Sequence, residues 1–262
     1  MIDRRELLAE ARRRGLPLTM IEKDYVLGWM LFGVSRVFPH LVLKGGTALS
    51  KVYLPRIWRL SEDLDFTMVE DEAFATMIKK AKEELIPLTE TQSQLKLTLK
   101  SEHFNPGYLQ LKIQYVAVLG VKNWLKIDIT RGKTVMTPRS MEFPSTYSDY
   151  PDFRVVVKPP EEILADKFYA ILRRTKCRDY YDAWRLLATG NLEVRKALSI
   201  FREKCAKEGL VVKWADLSPT GLAETLKPYW ERELARLVSP LPPLESVLRE
   251  LAQALPEIES SL

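Results

Sequence analysis

The sequence predicts an α/β (α+β) protein, with a mixed sheet and flanking helices in residues 1–157 and a helical domain in residues 158–262. In the first part, short segments that alternate apolar and polar residues, as strands do, fall between segments with helical spacing. After Pro159 and Pro160 the pattern is helical almost throughout. No apolar stretch is long enough to span a membrane or to act as a signal peptide, so a cytoplasmic protein is expected.

Composition limits the chemistry that the chain can perform. Cys177 and Cys205 are the only cysteines, and they lack the spacing of metal ligands. With two histidines in the chain, a zinc site is not expected. The formal net charge of +5 is compatible with a polyanionic partner but does not require one.

Residues 41–67 contain the first candidate site. Three apolar residues, 41–43, predict a short strand that ends in Lys44-Gly45-Gly46-Thr47, after which helical spacing begins. A glycine pair lets a ligand approach the backbone closely, and the first amides of a helix favour an anion. The turn would suit a phosphate group, and an ordinary tight turn is the alternative.

Asp63 and Asp65 lie on the polar face of the next predicted strand, because Leu64, Phe66 and Met68 occupy the other face. Residues two apart on a strand are about 6.6 Å apart, so their carboxylates can converge on Mg²⁺ or Mn²⁺. A solvated strand face is the alternative for this motif alone. Together the two motifs are more specific, since the glycine turn and the acidic strand would be neighbours in one sheet.

Asp128 is the third candidate carboxylate. A predicted antiparallel hairpin over residues 95–115 precedes a strand in which Leu125, Ile127 and Ile129 alternate with polar residues. Asp128 therefore lies on the polar face of the same sheet, where it either joins a metal site or is a solvated acid.

Lys167 interrupts the apolar stripe of the helix predicted to begin at Glu161. Its amine either reaches water past the edge of the core or points at nucleotide phosphates. Asp179 is predicted to cap the next helix and Asp182 to lie in its first turn, so these patterns alone give both a structural role.

These motifs together resemble a known superfamily. A glycine pair after an apolar residue, followed by an acidic pair on a strand, is similar to the nucleotidyltransferase fold of polymerase-β type. Within that superfamily, GGTAL with RLSEDLDF and EEILADKFYAILRR with RDYYDAWRL resemble the AbiEii/AbiGii toxins, which are relatives of the MenT toxins. The resemblance covers about Ile21 to Leu187.

The resemblance implies an activity and its partners. It implies a Mg²⁺-dependent enzyme that moves NMP from an NTP to an RNA acceptor, with the 3′ end of tRNA as the expected acceptor. The protein would be the toxin of a toxin–antitoxin system, with a separate antitoxin as partner. The alternatives are nucleotidyl transfer to a small molecule or a protein, and a nucleotide-binding module without catalysis.

The resemblance also implies roles for individual residues, with the active site between the two domains. The residues expected to be catalytic are Asp63, Asp65, Lys167 and Asp182. The expected metal ligands are Asp63, Asp65 and Asp128. The residues expected to line the nucleotide phosphates are Lys44, Gly45, Gly46, Thr47, Arg59 and Ser61.

Overall fold

The structure is a computed structural model that describes residues 1–190, 192–211, 217 and 219–260. It divides into two compact units, Met1–Lys158 and Pro159–Leu262. The first unit contains a mixed sheet with flanking helices, and the described residues of the second are helical apart from their connections. The predicted fold class is therefore confirmed.

The sheet of the first unit has seven strands in the order β3-β4-β5-β2-β1-β7-β6. Strand β1 pairs antiparallel with β2 and parallel with β7, and β2 pairs parallel with β5. The hairpin predicted over residues 95–115 is confirmed as β3 and β4. The strands are β1 (Leu41–Leu43), β2 (Leu64–Met68), β3 (Lys96–Asn105), β4 (Tyr108–Val116), β5 (Lys122–Arg131), β6 (Arg139–Glu142) and β7 (Arg154–Val157).

The helices of the first unit precede the sheet or connect its strands. A π-helical turn at Leu49–Tyr53 follows α3, and another at Ala81–Leu85 separates α4 from α5. The pattern after β2 predicts a helix that ends before Pro87, and this prediction is wrong. The widened turn places Pro87 at the start of a new helical segment, where its missing amide donor is not required. These helices are α1 (Arg4–Arg14), α2 (Leu18–Val37), α3 (Gly45–Ala48), α4 (Phe74–Lys80) and α5 (Ile86–Ser93).

The two faces of the sheet differ because side chains alternate along each strand. On β4 and β5, apolar residues such as Leu111 and Ile127 are buried on the face that α2 contacts. The polar residues between them, including Asp128, lie on the opposite face. The candidate carboxylates therefore lie on the face that does not belong to the apolar core.

A buried ion pair connects α2 to the π-helical turn after α3. The amine of Lys51 lies 2.7 Å from Asp24 Oδ2, and the two side chains are only 2% and 8% exposed. The Lys51 amine also donates to the backbone oxygen of Asp24 at 2.5 Å, and Tyr147 Oη donates to Asp24 Oδ2 at 3.1 Å. Burial lowers the pKa of Lys51, and the Asp24 carboxylate opposes that shift.

The second unit begins with α6 (Pro160–Arg173), which packs against α7 (Cys177–Ala188) and α8 (Val194–Lys207). The amine of Lys204 on α8 lies 3.1 Å from Glu162 of α6, whose side chain is fully buried. The remaining helices are α9 (Ala223–Leu234) and α10 (Leu244–Ser260). None of the helices in the described residues combines the length and the hydropathy that a membrane span requires.

The buried ion pair leads to a prediction about stability. Asp24→Ala should lower the free energy of unfolding by about 3–5 kcal/mol, because it leaves the Lys51 amine buried without its counter-charge. Urea denaturation of both proteins measures this difference. Glu83→Ala is the control, since it removes the exposed partner of Lys79 at 3.9 Å, and it should change stability by less than about 0.5 kcal/mol. Equal effects of the two substitutions would contradict the assignment.

Candidate active site

The glycine turn lies against the acidic strand. The amide of Lys44 donates to the backbone oxygen of Asp65 at 2.9 Å. Gly45 has φ +67°, and a Cβ there would lie 3.6 Å from Asp65 Oδ2. A Cβ on Gly46 would lie 2.5 Å from Nη2 of Arg59, so a larger residue would collide with that guanidinium. Gly46 therefore lets the guanidinium approach the turn closely, whereas Gly45 is suited to its position by its positive φ.

Three of the residues expected to line the phosphates are buried and bonded within the protein. Thr47 Oγ1 lies 2.5 Å from Ser61 Oγ and donates to the backbone oxygen of Asp63 at 2.5 Å. The guanidinium of Arg59 donates to the backbone oxygen of Leu60 at 3.0 Å. Thr47, Arg59 and Ser61 are 0%, 3% and 7% exposed, and the bonds of Thr47 to Ser61 and Asp63 connect the glycine turn to the segment before β2.

Asp65 and Asp128 lie side by side on neighbouring strands. They are register partners in the parallel pair β2–β5, and strands in such a pair are about 4.8 Å apart. Burial raises the pKa of the Asp63 carboxyl, and the nearby charge of Asp128 adds to this shift. The positive charges of Lys23 and Lys126 oppose it. Asp65 and Asp128 thus lie on one face of the sheet, and Asp63 directly precedes β2 instead of lying on the strand. We call these three carboxylates the acidic group.

The Asp128 carboxylate is held by two residues outside the predicted site. Tyr108 Oη donates to Asp128 Oδ1, and Gln110 Nε2 donates to the same oxygen at 2.9 Å. Burial and the bond to Asp128 raise the pKa of Tyr108 to about 12, so the phenol stays protonated and remains a donor. Gln110 lies directly opposite Asp128 in the β4–β5 register. The alternation of apolar and polar residues along these strands is the sequence signal that places Gln110 on the same face as Asp128.

Lys44 places a positive charge beside this acidic group. Its amine donates to Thr130 Oγ1, and Thr130 follows Asp128 by two positions on the same face of β5. The lysine that precedes the glycine turn therefore reaches across β2 to β5. A cation here would attract phosphate and reduce the repulsion among the carboxylates.

The acidic group fits a hard divalent cation. Both hydrogen bonds that Asp128 accepts from residues 1–190 end on Oδ1, so Oδ2 can face a cation. Within the described residues, no three His, Cys, Asp or Glu side chains lie close enough to hold a metal ion as they stand. Mg²⁺ often takes only one or two carboxylates and completes its shell with water and substrate phosphates. The oxygen ligands of Asp65 and Asp128 meet that requirement.

The second unit holds Lys167, Asp179 and Asp182 in one ion-pair network. The Lys167 amine lies 3.0 Å from Asp179 Oδ1 and 2.8 Å from Asp182 Oδ2. Nε of Arg174 lies 2.9 Å from Asp179 Oδ2. Burial would raise the pKa of Asp179, but the positive charges of Lys167 and Arg174 outweigh it and lower the pKa.

The predicted capping role of Asp179 is wrong. Lys176 occupies the N-cap of α7 without a side-chain hydrogen bond, and Asp179 lies in the first turn. Its carboxylate bonds Lys167 and Arg174 because two cations offer stronger partners than a backbone amide.

A glycine turn at the end of β1, next to carboxylates on β2 and β5 of a mixed sheet, is the arrangement that the resemblance to nucleotidyltransferases predicts. The chain belongs to the AbiEii nucleotidyltransferase toxin family, since the family model "Nucleotidyl transferase AbiEii toxin, Type IV TA system" matches residues 29–256. Membership makes it a nucleotidyltransferase toxin of a type IV toxin–antitoxin system. The family implies an NTP as substrate and an antitoxin as partner.

Solved structures share the fold of this chain. MenT4, a nucleotidyltransferase toxin from Mycobacterium tuberculosis H37Rv, superposes with a TM-score of 0.70 at 17% identity, over 99% of this chain and 90% of that one. JHP933 from Helicobacter pylori superposes with a TM-score of 0.61 at 19% identity, over 94% of each chain. No curated protein sequence matches the chain.

The ion-pair network leads to a prediction about Lys167. Lys167→Met should lower the free energy of unfolding by roughly 3–5 kcal/mol, because it leaves two buried carboxylates without their shared cation. Lys167→Arg keeps the charge and should retain most of the stability. Urea denaturation of the two variants and the wild type measures both effects. A Met variant as stable as the wild type would show that the network contributes nothing to the fold.

Proposed function

We propose that the protein transfers a nucleoside monophosphate from an NTP to an RNA acceptor, with Mg²⁺ or Mn²⁺ as cofactor. The observation that carries this proposal is the juxtaposition of Asp65 and Asp128 beside Gly45. Carboxylates alone would be a poor site for a triphosphate, since like charges repel. Carboxylates next to an open glycine turn and the Lys44 amine suit a triphosphate that arrives with a divalent cation.

Asp65 and Asp128 would hold the cation, and Asp63 would join them. Such a cation would offset the charge of the triphosphate and lower the pKa of an attacking hydroxyl. Tyr108 and Gln110 orient the Asp128 carboxylate by their bonds to Oδ1. Because those two side chains fix one oxygen, they restrict the direction in which the other can coordinate.

The glycine turn and its lysine would bind the triphosphate. Gly45 and Gly46 leave the backbone accessible to phosphate oxygens, and the Lys44 amine offsets part of their charge. Thr47, Arg59 and Ser61 support the turn from buried positions, and any direct contact with phosphate would require these side chains to exchange their present partners. The acceptor hydroxyl would attack the α-phosphorus and lose its proton to solvent. Pyrophosphate would leave as the new bond forms.

Lys167 and Asp182 are proposed to serve the same reaction. Lys167 is 12% exposed, whereas Asp179 and Asp182 are 2% and 0% exposed, so a ligand can reach the lysine more readily than either carboxylate. Asp182 would then hold the amine in place, and the amine would contact the triphosphate. The support for this step is the resemblance of these motifs to the toxin family together with that difference in exposure.

The acceptor is proposed to be RNA, with the 3′ end of tRNA as the expected site of transfer. The support is family membership and a net charge of +5, which favours a polyanion. Incubation of the protein with each labelled NTP, Mg²⁺ and total RNA identifies the acceptor. Label on an RNA band supports the proposal, whereas label only on a small molecule or a protein, or on nothing, contradicts it.

The carboxylates provide a second test. Asp65→Asn and Asp128→Asn should each lower the rate of transfer by about a hundredfold or more, because each removes a charged ligand of the cation. Both variants should fold, since neutralising one member of a group of like charges removes repulsion. Asp152→Asn is the matched control, because it makes the same change near the β6–β7 edge of the sheet. Transfer at the wild-type rate by both site variants would refute the metal site.

A further inference from the structure

Strands β3, β4 and β5 present an exposed polar face that lies outside the proposed metal and triphosphate sites. Three successive rows of register partners cross it, and each row takes one residue from each strand. The three rows are Lys96, Val116 and Lys122, then Thr98, Gln114 and Trp124, then Ser101, Lys112 and Lys126. The next row along contains Gln110 and Asp128, so this face runs directly into the acidic group.

This surface is basic. Four of its nine residues are lysines and none is an aspartate or glutamate. Within residues 1–190, these four lysines form no ion pair with a carboxylate. We call this surface, defined by Lys96, Lys112, Lys122, Lys126 and Trp124, the lysine face. Its charge is therefore available to an anionic partner.

Trp124 is the aromatic member of the lysine face. Its side chain is 39% exposed, although tryptophan is normally buried to a large degree. The Lys112 amine lies 4.7 Å from the ring centroid, which is a cation–π contact. A large exposed ring surrounded by lysines is what proteins use to stack one base of a single strand while cations hold its phosphates.

The distance from Trp124 to Asp128 fits a strand that ends at the acidic group. The two residues are four apart on the same face of β5, about 13 Å along the strand. Lys126 lies between them and is close enough to Asp63 to affect its pKa. A chain bound along β5 would thus place its end near the carboxylates while an inner base lies on Trp124.

We propose that the lysine face binds the single-stranded end of the RNA acceptor, with Trp124 stacking on a base and Lys112 and Lys122 contacting phosphates. This rests on the proposed function, because it assigns a site to the acceptor of that reaction. A polynucleotide is favoured over a second copy of the chain, since two copies with this same basic face would repel each other.

The test compares RNA binding, NTP binding and transfer in four variants. The probe is a fluorescein-labelled single-stranded RNA of about 12 nucleotides, within the usual site size of such surfaces, and fluorescence anisotropy gives Kd. Trp124→Ala should weaken binding by roughly 5- to 150-fold, the range for loss of one stacked base. Trp124→Phe keeps a ring and should restore much of the affinity. Lys126 is left unchanged because of its effect on Asp63.

The charge arm uses a matched pair of double variants. Lys112→Gln with Lys122→Gln should lower the slope of log K against log[salt] by about 1.4, at about 0.7 for each single-strand phosphate contact. Lys79→Gln with Lys207→Gln removes the same charge from exposed positions on α4 and α8, and it should leave the slope within error of the wild type. NTP affinity should be unchanged in all these variants.

The outcomes separate this inference from the proposed function. If the wild type labels RNA but Trp124→Ala and the Lys112/Lys122 variant bind and label it like the wild type, the lysine face is not the acceptor site and the function stands. If the wild type labels no RNA, the function fails, and with it this site. If either of these variants differs from the wild type in sedimentation coefficient but binds RNA with the same affinity, the face is a contact between copies of the chain. That result would overturn the inference.

Discussion

The parallel register of β2 and β5 is the constraint on which the account depends. It aligns Asp65 with Asp128, and the antiparallel pairing of β1 with β2 brings the glycine turn to the same place. A shift of one residue would turn every side chain on the strand to the opposite face and bury a carboxylate in the core. The apolar residues between the carboxylates, such as Ile127, therefore hold the site by being buried themselves.

Repulsion and burial make the ionised carboxylates of the acidic group unfavourable in the protein alone. Neighbouring side chains reduce this unfavourable free energy. Tyr108 and Gln110 donate to Asp128, and the charges of Lys23 and Lys126 counter the rise in the pKa of Asp63. Burial is the main cause of the raised pKa of Asp63, and the charge of Asp128 adds to it, so the two lysines offset only part of the shift. A divalent cation bound there would stabilise the ionised carboxylates, so metal binding and deprotonation of these carboxyl groups are coupled.

Much of the fold follows from sequence patterns, and the exceptions have physical causes. Alternation predicts the strands that carry Asp65 and Asp128 because one face of each is buried. The helix after β2 runs past Pro87 because a π-helical turn precedes it, and such a turn has no simple sequence signal. Asp179 pairs with Lys167 instead of capping α7. This pairing depends on packing between α6 and α7, which sequence periodicity does not reveal. Thr47 lies in a motif that is predicted to bind phosphate, yet its hydroxyl bonds that of Ser61.

The central claim is that Asp65 and Asp128 bind the cation that accompanies the nucleotide. Calorimetric titration of NTP in the presence of Mg²⁺ or EDTA, with the wild type and with an Asp65→Asn and Asp128→Asn double variant, tests it most directly. Mg²⁺ should strengthen NTP binding to the wild type, and this gain should disappear in the double variant, because the carboxylates that would hold the cation are gone. The same Mg²⁺-dependent gain in both proteins would contradict the account.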